Sequence, residues 1–495
     1  MTSALDSTAD EATPVASTEL VGARAWPIAI WAAMVVWTGV LCAIVHEAFW
    51  SFRVGRFDLG NMVQAVWSTT QGRPLEETQG STGEQMVRLG GHADPFLVLL
   101  APVWALWPSP LSLAFAQIAV VSLGALPVFW LGRRHLQDER TAGLLALAYL
   151  AYPWIATSAV SLIHPVTFAI TFLLFCIWFL DTERFLLFAV FAALAMSTGE
   201  LMGLPIAALG IWFAVARRRR LEGALVALAG AAWTFAAVYF IVPHFAGGDS
   251  IFYGFYDHVG GSPQGVLRTL VEEPGTVLRA LFESHDVIYV IWLGLPLLFL
   301  FVLSPGLALV ALPQLLANWL SDYRSMTDPR YQSVAAIIPF LIAATVLGIA
   351  KIGLPRRSLA AAAVLVCSAT LALAVGPWSR VVGATPLGGR ESVPEARADA
   401  LADAVDLVPD DVALSASNTA GAHLAARRYL YSVPNLGRAS WVVVDTGDPW
   451  TVSVDSPILS RRPKVVRRFA SGLRDDPSWE LVFEREGVLV FRKRA

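Results

Sequence analysis

Pro27-Ile28-Ala29-Ile30-Trp31-Ala32-Ala33-Met34-Val35-Val36-Trp37-Thr38-Gly39-Val40-Leu41-Cys42-Ala43-Ile44-Val45-His46-Glu47-Ala48 decides the fold class. A helix needs about 20 predominantly apolar residues to cross roughly 30 Å of hydrocarbon, and this run is long enough. Residues 1–25 ahead of it are small, polar and acidic (Asp6, Asp10, Glu11, Glu19). They lack the basic region of a secretory signal, so the run reads as a retained first span, with a disordered cytoplasmic tail before it.

Working outward, further apolar runs follow at 110–132, 142–161, 166–180, 185–198, 201–216, 222–243, 287–303, 306–320, 334–350 and 358–377. The expectation is a polytopic α-helical membrane protein of about 11 transmembrane helices. The runs at 166–180, 185–198 and 201–216 are short and closely spaced, and can be tilted, re-entrant or merged. Pro95–Trp107 reads as interfacial or re-entrant. Composition agrees: 56% of the 495 residues are hydrophobic and 15% charged, against about 25% charged in an average soluble domain. A net charge of -3 without a basic face argues against nucleic acid as a partner. Cys42, Cys176 and Cys367 lie in apolar stretches, which leaves no disulfide framework and no CxxC zinc spacing.

Basic residues in short loops stay in the cytoplasm. Placing the N-terminus inside puts Arg133-Arg134, Arg217–Arg220 and Lys351 with Arg356-Arg357 all on the cytoplasmic side. The transmembrane body, 26–378, then carries outer loops 49–109, 244–286 and 321–333, and the chain beyond it is extracytoplasmic. From Pro394 the pattern alternates helix (Glu395–Leu407), strand (Val412–Ser417), a helix capped by Asn418 and running to about Arg427, strands Tyr429–Val433 and Trp441–Asp445, a helix near Val465–Leu473 and strands Leu481–Glu484 and Val488–Arg492. Residues 392–495 are therefore expected to form a small soluble α/β domain.

Chemistry-bearing residues concentrate on the outer side. Phe57-Asp58-Leu59-Gly60 sits among Arg53, Arg56 and Gln64. A carboxylate there can take a proton from an acceptor hydroxyl while arginines hold a phosphate leaving group. The competing reading makes Asp58 the cap of a helix over Leu59–Thr69. His92 and Asp94 in Gly90-Gly91-His92-Ala93-Asp94-Pro95 can act as an acid/base pair, or with Asp58 supply ligands to a divalent cation; the plainer reading is a polar turn in which Asp94 caps the next helix. His164-Pro165, Glu200 and Asp328-Pro329-Arg330-Tyr331-Gln332 stand at outer ends of spans, where ionisable groups are costly and hence functional by default. Gly260-Gly261-Ser262-Pro263-Gln264-Gly265 reads as a mobile outer loop, a linker or a lid.

Several of these pieces together resemble a known family: Phe57-Asp58-Leu59-Gly60 with Gln64 and Trp67, then Gly91-His92 and Pro95, Pro110 to Gln117, Arg133, His164-Pro165, Glu200 before Gly203-Leu204, Tyr331 before Ile337-Ile338-Pro339-Phe340, and Val408-Pro409-Asp410, Ser415-Ala416-Ser417, His423-Leu424 and Arg427 in the tail. From about residue 50 onward the chain resembles the domain-of-unknown-function 2079 family of bacterial membrane proteins, grouped with the GT-C glycosyltransferases. The resemblance implies a GT-C-like body, a polyprenyl-phosphate-linked sugar as donor, a catalytic acidic residue in the first outer loop at Asp58, and inversion at the anomeric carbon. Thr198-Gly199-Glu200-Leu201 departs from the expected Lys-Glu-Asp triplet and keeps only the Glu.

The combined expectation is a plasma-membrane glycosyltransferase acting on an envelope glycan or protein acceptor. Asp58, His92 and Glu200 are its catalytic candidates, and Arg53, Arg56, Gln64, Asp94, His164, Arg330 and Tyr331 its substrate-binding ones. No cofactor is required, although a divalent cation (Mg or Mn) could substitute for the arginines. Two rivals stand beside it. A lipid or solute transporter or flippase would distribute charge through the bilayer and show a two-fold repeat. A non-enzymatic envelope scaffold would tolerate loss of Asp58.

Overall fold

The computed structural model describes residues 16–248, 251–281, 284–380, 393–453 and 456–494, with the side chain of Asp58 outside that description. The first helix, Ala16–Trp50, begins within the segment expected to be disordered. Ala16, Glu19, Leu20 and Ala23 are good helix formers, and propagation from an established helix needs no new nucleus. Residues 1–15 lie outside the described residues.

Among the described residues, four helices are long and apolar enough to cross a membrane: Ala25–Trp50, Pro110–Leu136, Arg220–Ala246 and Leu354–Val375. Glu139–Ala151 and Pro153–Val160, bent by 45° to one another, make a fifth if they count as one span. The bend falls where Pro153 forces Tyr152 out of the helical region. Shorter apolar helices occupy Pro165–Asp181, Phe185–Met196, Glu200–Ala216, Asp286–Leu297 and Ile338–Ala350, and Pro95–Leu106 is another, where an interfacial or re-entrant piece was expected. The expected run at 306–320 is instead broken into Pro305–Ala308, a turn at Leu309–Ala311 and Leu312–Trp319, because Pro305 and Pro313 can each only start a helical turn.

Three helices run between the same two ends of this body. Pro165–Asp181 starts at His164 and ends, roughly 25 Å away at 1.5 Å per residue, at Asp181. The Asp181 carboxylate gathers Arg134 (2.9 Å), His135 (3.0 Å) and Arg217. Gly203–Ala216 leads from Glu200 to that Arg217, and Ile338–Ala350 leads from the Gln332 turn to Lys351. Arg357 reaches the Leu136 and Ala350 carbonyls at this end (3.4 and 2.5 Å). The basic clusters thus collect at one end, and His164, Glu200 and Gln332 at the other.

The tail builds a five-stranded sheet in the order β4-β3-β5-β9-β8, from β3 (Leu414–Ala416), β4 (Leu430–Ser432), β5 (Trp441–Asp445), β8 (Trp479–Arg485) and β9 (Val488–Lys493), numbered after the first-loop hairpin β1 (Glu76–Thr78) and β2 (Gln85–Val87). Strands β4, β3 and β5 are parallel; β9 is antiparallel to both neighbours. Alternation along β5 and β9 sends Val442, Val444, Leu489 and Phe491 toward helix Pro463–Asp475, and Val443, Val488 and Val490 toward the other face. A hairpin the pattern did not announce, β6 (Trp450–Ser453) with β7 (Ser456–Arg461), completes the domain. The expected helix from Asn418 shrinks to Asn418–Gly421.

Far from being an appendage, the tail shares one continuous hydrophobic cluster with the helical body, in which Leu414, Ala416 and Val490 pack into the same core as Leu41 and Phe52. His423 stacks between Phe49 (3.9 Å between centroids) and Phe52 (4.2 Å), and its Nε2 lies 3.0 Å from the Phe49 carbonyl, to which it donates. Burial pushes this imidazole from 6.5 down to about 4, against the weaker opposing pull of that carbonyl. An undocked His423 therefore protonates first. Its contribution to docking is complete above about pH 6.5 and is lost as pH falls toward about 4. Acidifying the full-length protein across that window should lower the amide protection factors (exchange corrected for the intrinsic rate at each pH) over residues 418–432, whereas His423→Phe, with the stack kept and no proton to gain, should hold the protection factors flat.

Candidate active site

The first outer segment positions the site. Gly55 is extended, Arg56–Gly60 forms one wide helical turn, and this runs directly into helix Asn61–Thr70. Asp58 is thus the third residue of a continuous helical segment whose N-cap is Gly55, so the capping alternative does not describe its backbone. The β1–β2 hairpin then pairs Glu77 with Met86 and brings Glu77 beside the turn Arg88–Gly90. Asp94 does occupy the N-cap position of Pro95–Leu100, but its side chain makes no capping hydrogen bond. It turns to Arg88 instead.

A chain of charges results. Arg88 Nη2 lies 2.8 Å from Asp94 Oδ2, Nε donates to the same oxygen at 2.9 Å, and Nη1 stands 3.6 Å from Glu77 Oε2. Arg88, Glu77 and Asp94 are buried. Burial works against the Arg88 cation, but Asp94 and Glu77 overcome it and hold the guanidinium above its ordinary value. Burial raises Asp94 and Glu77, with Arg88 pulling the other way in both. Neither Asp94 Oδ1 nor Glu77 Oε2 has a hydrogen-bond partner among the described residues. Next to them, His92 Nδ1 sits 3.2 Å from Glu200 Oε1, and Glu200 Oε2 accepts from the Ala93 N–H at 3.2 Å. Phe252 stacks on the His92 ring at 4.4 Å. The turn carrying Glu200 is held by Trp233, whose indole donates to the Gly199 carbonyl (3.0 Å), and by the close approach of Gly203–Ala216 to Arg220–Ala236, where a Cβ on Gly230 would stand 2.4 Å from the Gly203 carbonyl oxygen.

Two confluent cavities open on these groups. One, of about 750 Å³, is lined by Glu77, Arg88, His92, Asp94, His164 and Glu200, with Phe57 and Asn61 at the first-loop turn. The other, of about 1110 Å³, is more apolar and is lined by Val238, Val242, Phe252, Val266, Leu267, Leu320 and Tyr331. Phe57, His92, His164, Glu200 and Gln332 belong to both walls and mark the junction.

Of the residues expected at a site, His92, Asp94, His164 and Glu200 meet around the polar cavity and Tyr331 lines the apolar one. Asp58 contributes its backbone position between Phe57 and Asn61, and its side chain is not described. Three arginines make other contacts among the described residues. Arg53 pairs with Glu47 and donates to Ser51 Oγ (2.7 Å). Arg56 is fully buried and donates to the Thr78 and Leu430 carbonyls (2.7 and 2.8 Å) and to Ser432. Arg330 forks onto Asp328, two residues away (2.6 Å). None of the three lines either cavity. The Gln64 amide bonds to Thr78 N, Arg427 O and Arg428 O at 2.9–3.0 Å. His92 pairs with Glu200 and Asp94 with Arg88, and among the described residues no three His, Cys, Asp or Glu side chains converge to hold a metal. Gly260-Gly261 does not behave as a plain linker: both residues take positive φ, and the adjoining Ser262 caps helix Pro263–Glu272 on the wall of the apolar cavity. The residues missed from the sequence are Glu77 and Arg88. The one signal for Arg88 was a charge set between Val87 and Leu89 in an outer loop.

His92 carries a testable titration. Burial lowers its pKa, but the Glu200 carboxylate and its hydrogen bond raise it above the ordinary 6.5 on balance. A raised imidazole contributes stability that is complete below the ordinary value and is lost as pH climbs through the higher folded one. The ring is 41% exposed, so solvent screens the pair. In Glu200→Gln the amide oxygen still accepts from Ala93 N–H, but the counter-charge is gone. The melting-temperature gap between wild type and Glu200→Gln should be widest at acidic pH and close as pH rises through neutrality; a gap that widens with pH would contradict the pairing.

In fold, the chain is similar to ArnT from Cupriavidus metallidurans. The crystal structure of that protein bound to undecaprenyl phosphate superposes with a TM-score of 0.53 at 12% identity, covering 96% of this chain and 99% of that one. The apo crystal structure superposes at 0.51 with 14% identity, covering 91% and 97%. No curated protein sequence matches the chain. The model of the family described as predicted membrane protein (DUF2079) matches residues 48–490, nearly the whole length, and the chain belongs to that family of membrane proteins.

Proposed function

We propose that the chain is a GT-C-type glycosyltransferase, which moves a sugar from a polyprenyl phosphate to an envelope acceptor on the outer face of the plasma membrane. The observation that carries this reading is the junction of a polar cavity with an apolar one at Phe57, His92, His164 and Glu200, beside the backbone of Asp58. A donor with a sugar head on an isoprenoid tail needs two such environments meeting at one bond. The buried Asp94 Oδ1 and Glu77 Oε2, which accept no hydrogen bond among the described residues, fit the hydroxyl donors of a sugar, since a buried acceptor left without one costs about 1–3 kcal/mol. The fold shared with ArnT, whose crystal structure holds undecaprenyl phosphate, supports the donor class.

In this mechanism the Asp58 carboxylate takes the proton from an acceptor hydroxyl as its oxygen bonds to the anomeric carbon from the face opposite the phosphate. The bond from that carbon to the phosphate oxygen breaks, its electron pair leaves with the polyprenyl phosphate, and the configuration inverts. His164 and Gln332 stand where the phosphate would lie, and His92, held by Glu200, is placed to neutralise charge on it. The basic end faces the cytoplasm and the cavity end the outside. A transporter reading lacks support, since His92, Asp94, His164 and Glu200 gather at one end of the helices and do not line a path through them.

Two experiments check this. Cysteines at Gly261 and Ser471 should react with an impermeant thiol reagent on intact cells and one at Arg218 should not; the reverse pattern would invert the topology. In purified protein supplied with a panel of radiolabelled polyprenyl-phosphate sugars, Asp58→Asn should lower turnover roughly 10²–10⁴-fold with little change in melting temperature. An Asn variant turning over at the wild-type rate would remove Asp58 from the mechanism.

A further inference from the structure

The turn that carries Asp58 is built against the tail domain on several sides. Asn418, which follows the carboxyl end of β3, accepts from the Phe57 N–H through Oδ1 (3.2 Å). Gly55 lies so close to that side chain that a Cβ would stand 2.3 Å from Asn418 Nδ2 and 2.5 Å from Oδ1. The Gly55 backbone, at φ -104° and ψ 168°, is one that any residue adopts, so glycine is needed there for space alone. From the tail side, a Cβ on Gly421 would stand 2.6 Å from Arg56 Cβ, and one on Gly60 would meet the Gly421 carbonyl at 3.2 Å. Arg56 itself anchors at β4, on Leu430 O and Ser432.

Open α/β sheets bind ligands outside the carboxyl ends of their parallel strands. Here that edge, at the ends of β3 and β4, is filled by the chain's own Gly55–Gly60 turn. Phe57, whose N–H Asn418 holds, lines both cavities. We propose that the tail domain is a structural half of the catalytic centre, with Asn418 as the positioning residue that sets the Phe57–Asp58 backbone at the cavity junction. Asn418 touches no substrate and acts through Phe57 and Asp58; the catalytic arm of the proposal rests on Asp58 being the base, while the positioning arm does not.

Full-length Asn418→Ala, Asn418→Asp, Gly55→Ala and the double variant Gly55→Ala with Asn418→Ala test it, with amide hydrogen exchange over Phe57–Asn61 and the kcat–KM split on the polyprenyl-phosphate sugar turned over by wild type as readouts. Asn418→Ala should speed exchange locally and lower kcat roughly tenfold to a hundredfold, leaving KM within about twofold. Asn418→Asp, which keeps an acceptor for the Phe57 N–H, should restore both. Gly55→Ala should be impaired by its clash with Asn418, and the double variant should be no worse than the poorer single, because the two changes act on one contact. Unchanged exchange in Asn418→Ala, or strictly additive losses in the double variant, would overturn the positioning. Wild-type kcat in Asn418→Ala beside an inactive Asp58→Asn would overturn its link to catalysis with the glycosyltransferase reading intact. If Asp58→Asn keeps full turnover, the base assignment is what fails, and exchange alone then decides the positioning.

Discussion

The guanidinium of Arg56 is the contact on which the outer half of this protein depends. It is fully buried, and burial pulls its pKa down to about 10, with Glu77 pulling weakly upward, so it stays charged at neutral pH. In place of a paired carboxylate it has the carbonyl dipoles of Thr78 and Leu430 and the Ser432 hydroxyl. Planar, directional donors make this feasible for arginine where lysine would fail. Thr78 belongs to the hairpin that carries Glu77, Leu430 and Ser432 to β4 of the tail, and Arg56 itself to the turn that carries Asp58. One side chain thus fixes three separate segments, and Gln64 repeats the arrangement about two turns further on, between Thr78 and Arg427–Arg428.

Beneath this clamp the helical body sets a polarity of charge. Helices that start at His164, Glu200 and the Gln332 turn all end among arginines or beside Lys351. The Asp181 carboxylate, close to the apolar core, gathers Arg134, His135 and Arg217 at that end, opposite the one where His164 and Glu200 line the cavities.

Much of this was legible because hydrophobic length and charge placement act locally. Helix positions, the basic end and the strand pattern of the tail follow from residues read in place, and the gathering of His92, Asp94, His164 and Glu200 follows from assigning span ends to one side. What could not be read was the allocation of polar partners across the chain. Arg56 and Gln64 lie in the motif that looked most catalytic, yet beside their bonds to Thr78 they bond to Leu430 and Arg427, more than 350 positions away. Periodicity carries no signal for such pairs. Arg88 and Glu77 were missed for the same reason: in a loop, a charge that will be buried by a hairpin looks identical to one that will be solvated. The broken run at 306–320 was a different error, since hydropathy averages over Pro305 and Pro313 while the backbone does not.

The charge balance of the polar cavity also orients the proposed donor. Its walls carry Glu77, Glu84, Asp94 and Glu200 against Arg88 and the imidazoles of His92, His164 and His244, and Arg88 is already committed to two of those carboxylates. A phosphate placed deep in that chamber would meet net negative charge in a medium that screens poorly, at a cost that grows as water is excluded. A neutral or amino sugar would meet hydrogen-bond acceptors there instead. The phosphate is therefore best accommodated at the junction, near His164, His92 and Gln332, with its tail in the apolar cavity and its sugar turned toward Asp94 and Glu77. In that pose the bond to be broken lies beside the Phe57–Asp58 backbone, so the acidity of the chamber and the placement of the first-loop turn constrain the same atom from opposite sides.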